Sequence, residues 1–184
     1  KQAGSVQSMA GILFTTTSDV TTTANSSSSY SLIGPSTGVT QTAANGFAAG
    51  KTLHLSGRGN IAGDASAPGN AVFQVKLGSS VLGQATLAIP LGATAAGTKF
   101  EWDCDVTCVS TGASGVFRCA GMVRCSNEPV SQSMVCAPIR TVAGTTTNIV
   151  DTTSAKVIDF VGSTSTADSD NAIGSEYVTC MVVN

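Results

Sequence analysis

Residues 100–108 read FEWDCDVTC, and residues 116–125 read VFRCAGMVRC. In the first stretch Phe100, Trp102, Cys104, Val106 and Cys108 share one parity, and Glu101, Asp103, Asp105 and Thr107 share the other. A strand turns successive side chains to opposite faces, so this alternation describes a strand with one buried and one solvated face. In the second stretch Phe117, Cys119, Val123 and Cys125 point one way, and Arg118, Met122 and Arg124 the other. Residues 110–115, STGASG, lie between them and carry Gly and Ser turn chemistry. If the two strands pair, the outer acids face the outer arginines across the ladder, at up to ~1 kcal/mol per pair.

The same period extends outward along the chain. Residues 51–61, KTLHLSGRGNI, put Leu53, Leu55 and Ile61 on one parity. Residues 71–78, AVFQVKLG, put Phe73, Val75 and Leu77 opposite Gln74 and Lys76. Residues 81–89 continue through Val81, Ala85, Leu87 and Ile89, after a hairpin-like turn at Gly78, Ser79 and Ser80. Two more strands are predicted over 156–162 and 172–183. The pattern predicts an all-β fold of about eight to ten strands, with turns spaced as in a sandwich or jelly roll. The last strand is unusual, because Tyr177, Met181 and Val183 share one face and Val178, Cys180 and Val182 the other. A strand that is apolar on both faces lies between layers or in a subunit contact.

Composition narrows the function classes. Only 11% of the 184 residues are charged, against about a quarter in an average soluble domain. Nine Lys and Arg against eleven Asp and Glu make no basic footprint, which excludes a nucleic-acid partner. The charge is too low for an acidic disordered tail, and Glu, Lys and Arg are too few for a helical bundle. Residues 1–10 show no apolar run after the charge of the kind a secretory signal carries. No stretch reaches the apolar length of a membrane-spanning helix.

Residues 1–28 differ from the remainder. They hold one apolar patch, Gly11-Ile12-Leu13-Phe14, followed by a polar Thr- and Ser-rich run without period. This segment reads as an extended arm that docks elsewhere, or as a first strand with a polar loop. Residues 29–184 read as the β domain.

Catalytic chemistry finds little support. Cys104, Cys108, Cys119, Cys125, Cys136 and Cys180 include no CxxC pair, and four of the six fall on inward strand faces, where free Cys packs as a small hydrophobe. His54 is the only histidine, and no G-x-S-x-G elbow accompanies it, so a Ser–His–Asp hydrolase lacks its parts. Glu101, Asp103 and Asp105 have the spacing of a glycosidase pair and equally that of a solvated strand face. Asp168, Asp170 and Asn171 offer oxygen ligands for Ca²⁺ in what turn chemistry also explains. The expectation is a protein that is not an enzyme, with no catalytic residue, metal or cofactor.

The order of several motifs resembles a β-sandwich domain of phage virion proteins. The resemblance runs through SLIGPSTGVTQTAANGFAAGKTLHLSGRGNIA (31–62), VKLGSSVLGQATL (75–87), FEWDCDVTC, STGASGVFRCAG (110–121) and VDTTSAKVIDF (150–160), ending in the Asn171 turn. It covers the chain from about residue 30 onward. The order of the motifs carries the likeness. The cysteines depart from it, standing where apolar residues are usual.

The resemblance implies a jelly-roll-like antiparallel β-sandwich exposed on a virion, usually as a trimer. Similar domains occur in head decoration (cement) proteins, head fibres and tail-fibre heads. The absence of a shaft favours a homotrimeric cement protein on the capsid exterior, made in the host cytoplasm and bound to the major capsid protein. On that reading Ile12, Leu13 and Phe14 dock on the capsid, and Tyr177, Val178, Met181 and Val183 form the trimer contact. The alternative is a tail-fibre or spike tip that recognises host-surface glycans. Neither involves nucleic acid or a membrane.

Overall fold

A computed structural model describes residues 11–16, 20–21, 29–33, 41–42, 44–90, 92–93, 98–126, 134–141, 148–166, 168 and 170–183. Among them the strands are β1 (Gly11–Thr16), β2 (Val20–Thr21), β3 (Tyr30–Ser31), β4 (Gln41–Thr42), β5 (Thr52–Ala62), β6 (Asn70–Leu77), β7 (Ser80–Ala88), β8 (Lys99–Ser110), β9 (Gly115–Ser126), β10 (Met134–Thr141), β11 (Ile149–Val150), β12 (Lys156–Thr164) and β13 (Ala172–Val182). Ten of them follow one path, β1-β13-β5-β8-β9-β10-β7-β6-β12-β3, with β2 beside β13, β4 beside β12 and β11 beside β9. The fold is all-β and antiparallel, as the alternation predicts. Its two layers belong to one continuous sheet that curls into a half-barrel.

Aromatic packing shows the curl. Trp102 on β8 stacks on Phe160 on β12, with ring centroids 3.6 Å apart. Phe73 on β6 lies 5.0 Å from Phe100 on β8. The half β1-β13-β5-β8-β9 therefore closes over the half β10-β7-β6-β12-β3. Burying each of these large side chains stabilises the fold by about 1.5–3 kcal/mol. The two ends of the curl meet near Leu32. Its amide donates to the Phe160 carbonyl at 2.7 Å, and its own carbonyl accepts from the Ser175 hydroxyl of β13.

The segment Ser56-Gly57-Arg58-Gly59 of β5 shows how sequence sets this packing. Its two glycines face inward, beneath the Trp102 and Phe100 rings. A Cβ on Gly59 would lie 1.9 Å from the Gly174 carbonyl oxygen and 2.8 Å from the Phe100 ring. A Cβ on Gly57 would lie 2.8 Å from Trp102 Nε1. Only glycine lets the rings approach the backbone this closely.

Most inward parities hold. Phe100, Trp102, Cys104, Val106 and Cys108 are all buried, as are Phe117, Cys119, Val123 and Cys125. Two registers differ from expectation. In β7 Leu82 is buried and Val81 only half-buried, because a bulge shifts the β6–β7 register between Val75 and Lys76. In β13 a bulge between Ser175 and Tyr177 reverses parity, so that Ile173 and Ser175 face the core before it, and Val178, Cys180 and Val182 after it. The strand β10 was not expected. Pro138 argues against a central strand, yet it sits where β10 is paired on one side, since β7 reaches only Arg140 and Thr141.

Candidate functional site

The outer face of β13-β5-β8-β9-β10 carries a mixed set of acidic and basic side chains. β8 contributes Lys99, Glu101, Asp103 and Asp105, β9 contributes Arg118 and Arg124, and Arg58, Arg140 and Glu176 come from the other three strands. These five basic and four acidic residues are nine of the chain's twenty charged residues, and His54 joins them. The cause is period two. Each of these strands sends its apolar parity into the core, and pairing places the polar parities side by side.

Cross-strand contacts tie the face into a lattice. Glu176 accepts from Arg58 Nε at 3.0 Å and from Lys99 Nζ at 2.5 Å, and Lys99 also donates to Asn60. The hydrogen bond from Lys99, with the charges of Lys99 and Arg58, holds the Glu176 carboxyl below its ordinary range. The Arg58 guanidinium lies 5.2 Å from the Tyr177 ring centroid. Arg124 donates to Asp103 at 3.0 Å, and His54 Nδ1 lies 2.8 Å from Asp105 Oδ1. The expected pairing of acids with arginines is thus present, but Arg124 takes diagonal Asp103 and not Glu101, its direct partner in register.

The expected contact residues are distributed differently from the sequence-based assignment. Tyr177 and Val183 are exposed, and Met181 is half-buried opposite His54. Val178 must be corrected. It is fully buried in the core, because the Ser175–Tyr177 bulge turns it inward, and it has no surface to offer a subunit contact. Ile12, Leu13 and Phe14 fall in β1, where Ile12 pairs in register with Met181 and Phe14 with Cys180. The side chains of these three lie outside the described part of the structure.

Five of the six cysteines are buried, and Cys136 is exposed on the outer face. All six thiols are free. A hydrogen bond between Cys104 and Cys119, with burial, raises the Cys104 thiol far above its ordinary value, and burial pushes Cys125 up to about 11 and Cys180 to about 12. Such thiols are poor nucleophiles and poor metal ligands.

One acidic group was only partly anticipated. Asp168 and Asp170 are joined by Asp64, with carboxylate oxygens within 4.8 Å of one another. Asp64 was not visible as a partner because it lies a long way off in sequence. Turn chemistry accounts for these acids: Asp64 accepts from the Ser66 and Ala67 amides, and Asp168 from the Asp170 amide. Sequence reading also missed Arg58, Asn60, Lys99, Glu176 and Met134 as members of the polar face that holds the β8 acids. The outward parity of Arg58 and Lys99 was the available signal.

No family model matches the sequence, and no curated protein matches it. Among solved structures the chain is similar to the CBM2 module of the evolved Dit protein of Lactobacillus casei BL23 phage J-1. The identity is 11% over 90% of this chain and 76% of that one, with a TM-score of 0.32. It is also similar to an alginate lyase from Klebsiella pneumoniae, at 9% identity over 72% of this chain and 60% of that one, with a TM-score of 0.29. Likeness at this level is shared by β folds of different function, so function must come from the site.

Proposed function

We propose that the protein is a non-catalytic domain of a phage particle that recognises host-surface glycans through the outer face of β13-β5-β8-β9-β10. The observation that carries this reading is the set of cross-strand ion pairs on that face, which join Arg58 and Lys99 to Glu176 and Arg124 to Asp103. Sugars present many hydroxyls, and a lattice of alternating donors and acceptors answers them. Ion pairing already restrains Arg58, Glu176, Lys99 and Arg124, so less side-chain entropy is lost when a ligand binds. Placement on a phage particle comes from the motif order in the sequence.

The large exposed apolar side chains among the described residues are Tyr30, Val109, Met134, Val157, Tyr177 and Val183. They are spread over separate elements, whereas a docking surface between proteins has an apolar core. Titration of the purified protein against a panel of host-surface polysaccharides tests the reading. Saturable binding that Arg58→Ala weakens is expected, and no binding to any of them overturns it.

The homotrimeric cement protein remains a second reading, favoured by one observation. β1, which carries Ile12, Leu13 and Phe14, ends the strand path beside β13, which carries Tyr177 and Met181. The expected docking patch and the expected trimer strand are therefore neighbours. Copy number decides between the two: hundreds per particle, with trimers in solution, favour cement, and a handful favours a tip.

A further inference from the structure

At one end of the polar face Lys99, Glu101, Arg124, Ser126 and Met134 line a shallow depression of about 180 Å³. We infer that this depression is a subsite for one neutral hexose ring, with the Glu101 carboxylate accepting two adjacent ring hydroxyls. The inference rests on the glycan reading above and adds where a sugar sits and of what charge.

Glu101 stands apart within the lattice. Asp103 is engaged by Arg124, Asp105 by His54, and Glu176 by both Arg58 and Lys99. Glu101 lies in register between Arg58 on β5 and Arg124 on β9, yet both guanidiniums pair with other acids. Among the described residues it is the outer-face acid of β8 that forms no ion pair. Its two oxygens are exposed at the depression, free to accept a bidentate pair of hydroxyls. Arg124 has guanidinium donors beyond the one used on Asp103. Met134, 64% exposed, supplies an apolar flank for the C–H face of a ring.

Charge selects the class of sugar. The two cations that line it are already engaged, Lys99 by Glu176 and Arg124 by Asp103, which leaves Glu101 as the unpaired charge of the lining. An acidic sugar would set its carboxylate against Glu101 with no surplus cation to offset it, whereas a neutral ring carries no such cost.

Calorimetric titration of the full chain with soluble glucan, mannan and galactan oligosaccharides, and with oligogalacturonate as the acidic comparator, tests this. At least one neutral series is expected to bind. Glu101→Gln is expected to weaken it about tenfold or more, because hydrogen bonds to a charged acceptor are lost. Met134→Ala is expected to weaken it several-fold, and Val157→Thr on the opposite half-sheet to leave it unchanged. All three positions are exposed, so folding is not at stake. Binding of neutral sugars that Glu101→Gln leaves intact overturns the subsite and leaves the glycan reading standing. Preference for oligogalacturonate overturns the neutral class. Absence of binding to every probe overturns the subsite, and the wider polysaccharide panel then decides whether the glycan reading falls with it.

Discussion

Trp102 and Phe160 stack with their ring planes 12° from parallel and their centroids 3.6 Å apart, joining β8 of one half-sheet to β12 of the other. The Trp102 Nε1 proton is buried and has no hydrogen-bond partner among the described residues. The pair therefore combines a large favourable contact with one uncompensated polar group.

Truncating the apolar partner removes the contact and leaves a cavity. Phe160→Ala is expected to cost about 3–5 kcal/mol. Trp102→Phe keeps a ring in place and removes the orphan donor, whose burial costs about 1–3 kcal/mol, so its loss is expected to be the smaller. Urea unfolding midpoints of the two variants, compared at constant m-value, check the order.

Gly59 provides a second test of the close approach. Gly59→Ala places a methyl against the Gly174 carbonyl and the Phe100 ring, and the β5–β13 ladder must move. A loss of about 1–3 kcal/mol or more is expected, read as a lower thermal midpoint. An unchanged midpoint would show that the two strands are not held at this spacing.

Two carboxylates are expected to respond to acid with opposite sign. Lys99 and Arg58 lower the Glu176 pKa, so its contribution is present above the ordinary Glu value and is lost as pH falls through the lowered one. Asp159 is raised chiefly by burial, although the Ser31 hydroxyl donates to it at 2.7 Å. Its ionisation therefore costs stability as pH rises through the raised value. Glu176→Gln should destabilise at neutral pH and converge with the parent in acid. Asp159→Asn should stabilise at neutral pH and also converge in acid. Stability curves from pH 7 to pH 3 distinguish these outcomes.

Thiol reactivity follows burial. At neutral pH iodoacetamide is expected to label Cys136 alone in the folded protein, and all six cysteines after denaturation, since thiolate is the reactive form. Intact mass before and after denaturant counts the adducts. Native labelling of Cys104 or Cys180 would contradict their placement in the core.

Much of the architecture was legible in residues such as Phe100, Trp102 and Glu101. Side-chain direction in a strand follows from local pleating, so a short window reveals which side is buried. The windows fail where the ladder is irregular. Val178 shares a parity with Cys180 and Val182, but both faces of that strand are apolar and the sequence does not say which one is the core side, and Pro138 conceals a strand that is paired over most of its length on one side only. The site was less visible than the fold. The β8 acids stood out, but Arg58 and Met134, which flank Glu101, and Glu176, which holds Lys99, come from strands distant in the chain.

Alternation along single strands is enough for an antiparallel all-β protein and for the inward and outward sides of its main strands, and composition for few charges and a single histidine. That the outward sides of β13, β5, β8, β9 and β10 form one polar surface, that Arg124 engages Asp103 and leaves Glu101 free, and that Asp64 meets Asp168 and Asp170 follows only from the folded arrangement. Alternation is dictated residue by residue through the pleat. Strand order, register and curl depend on which apolar faces find one another across the whole chain, and that choice sets every neighbour on the outer surface.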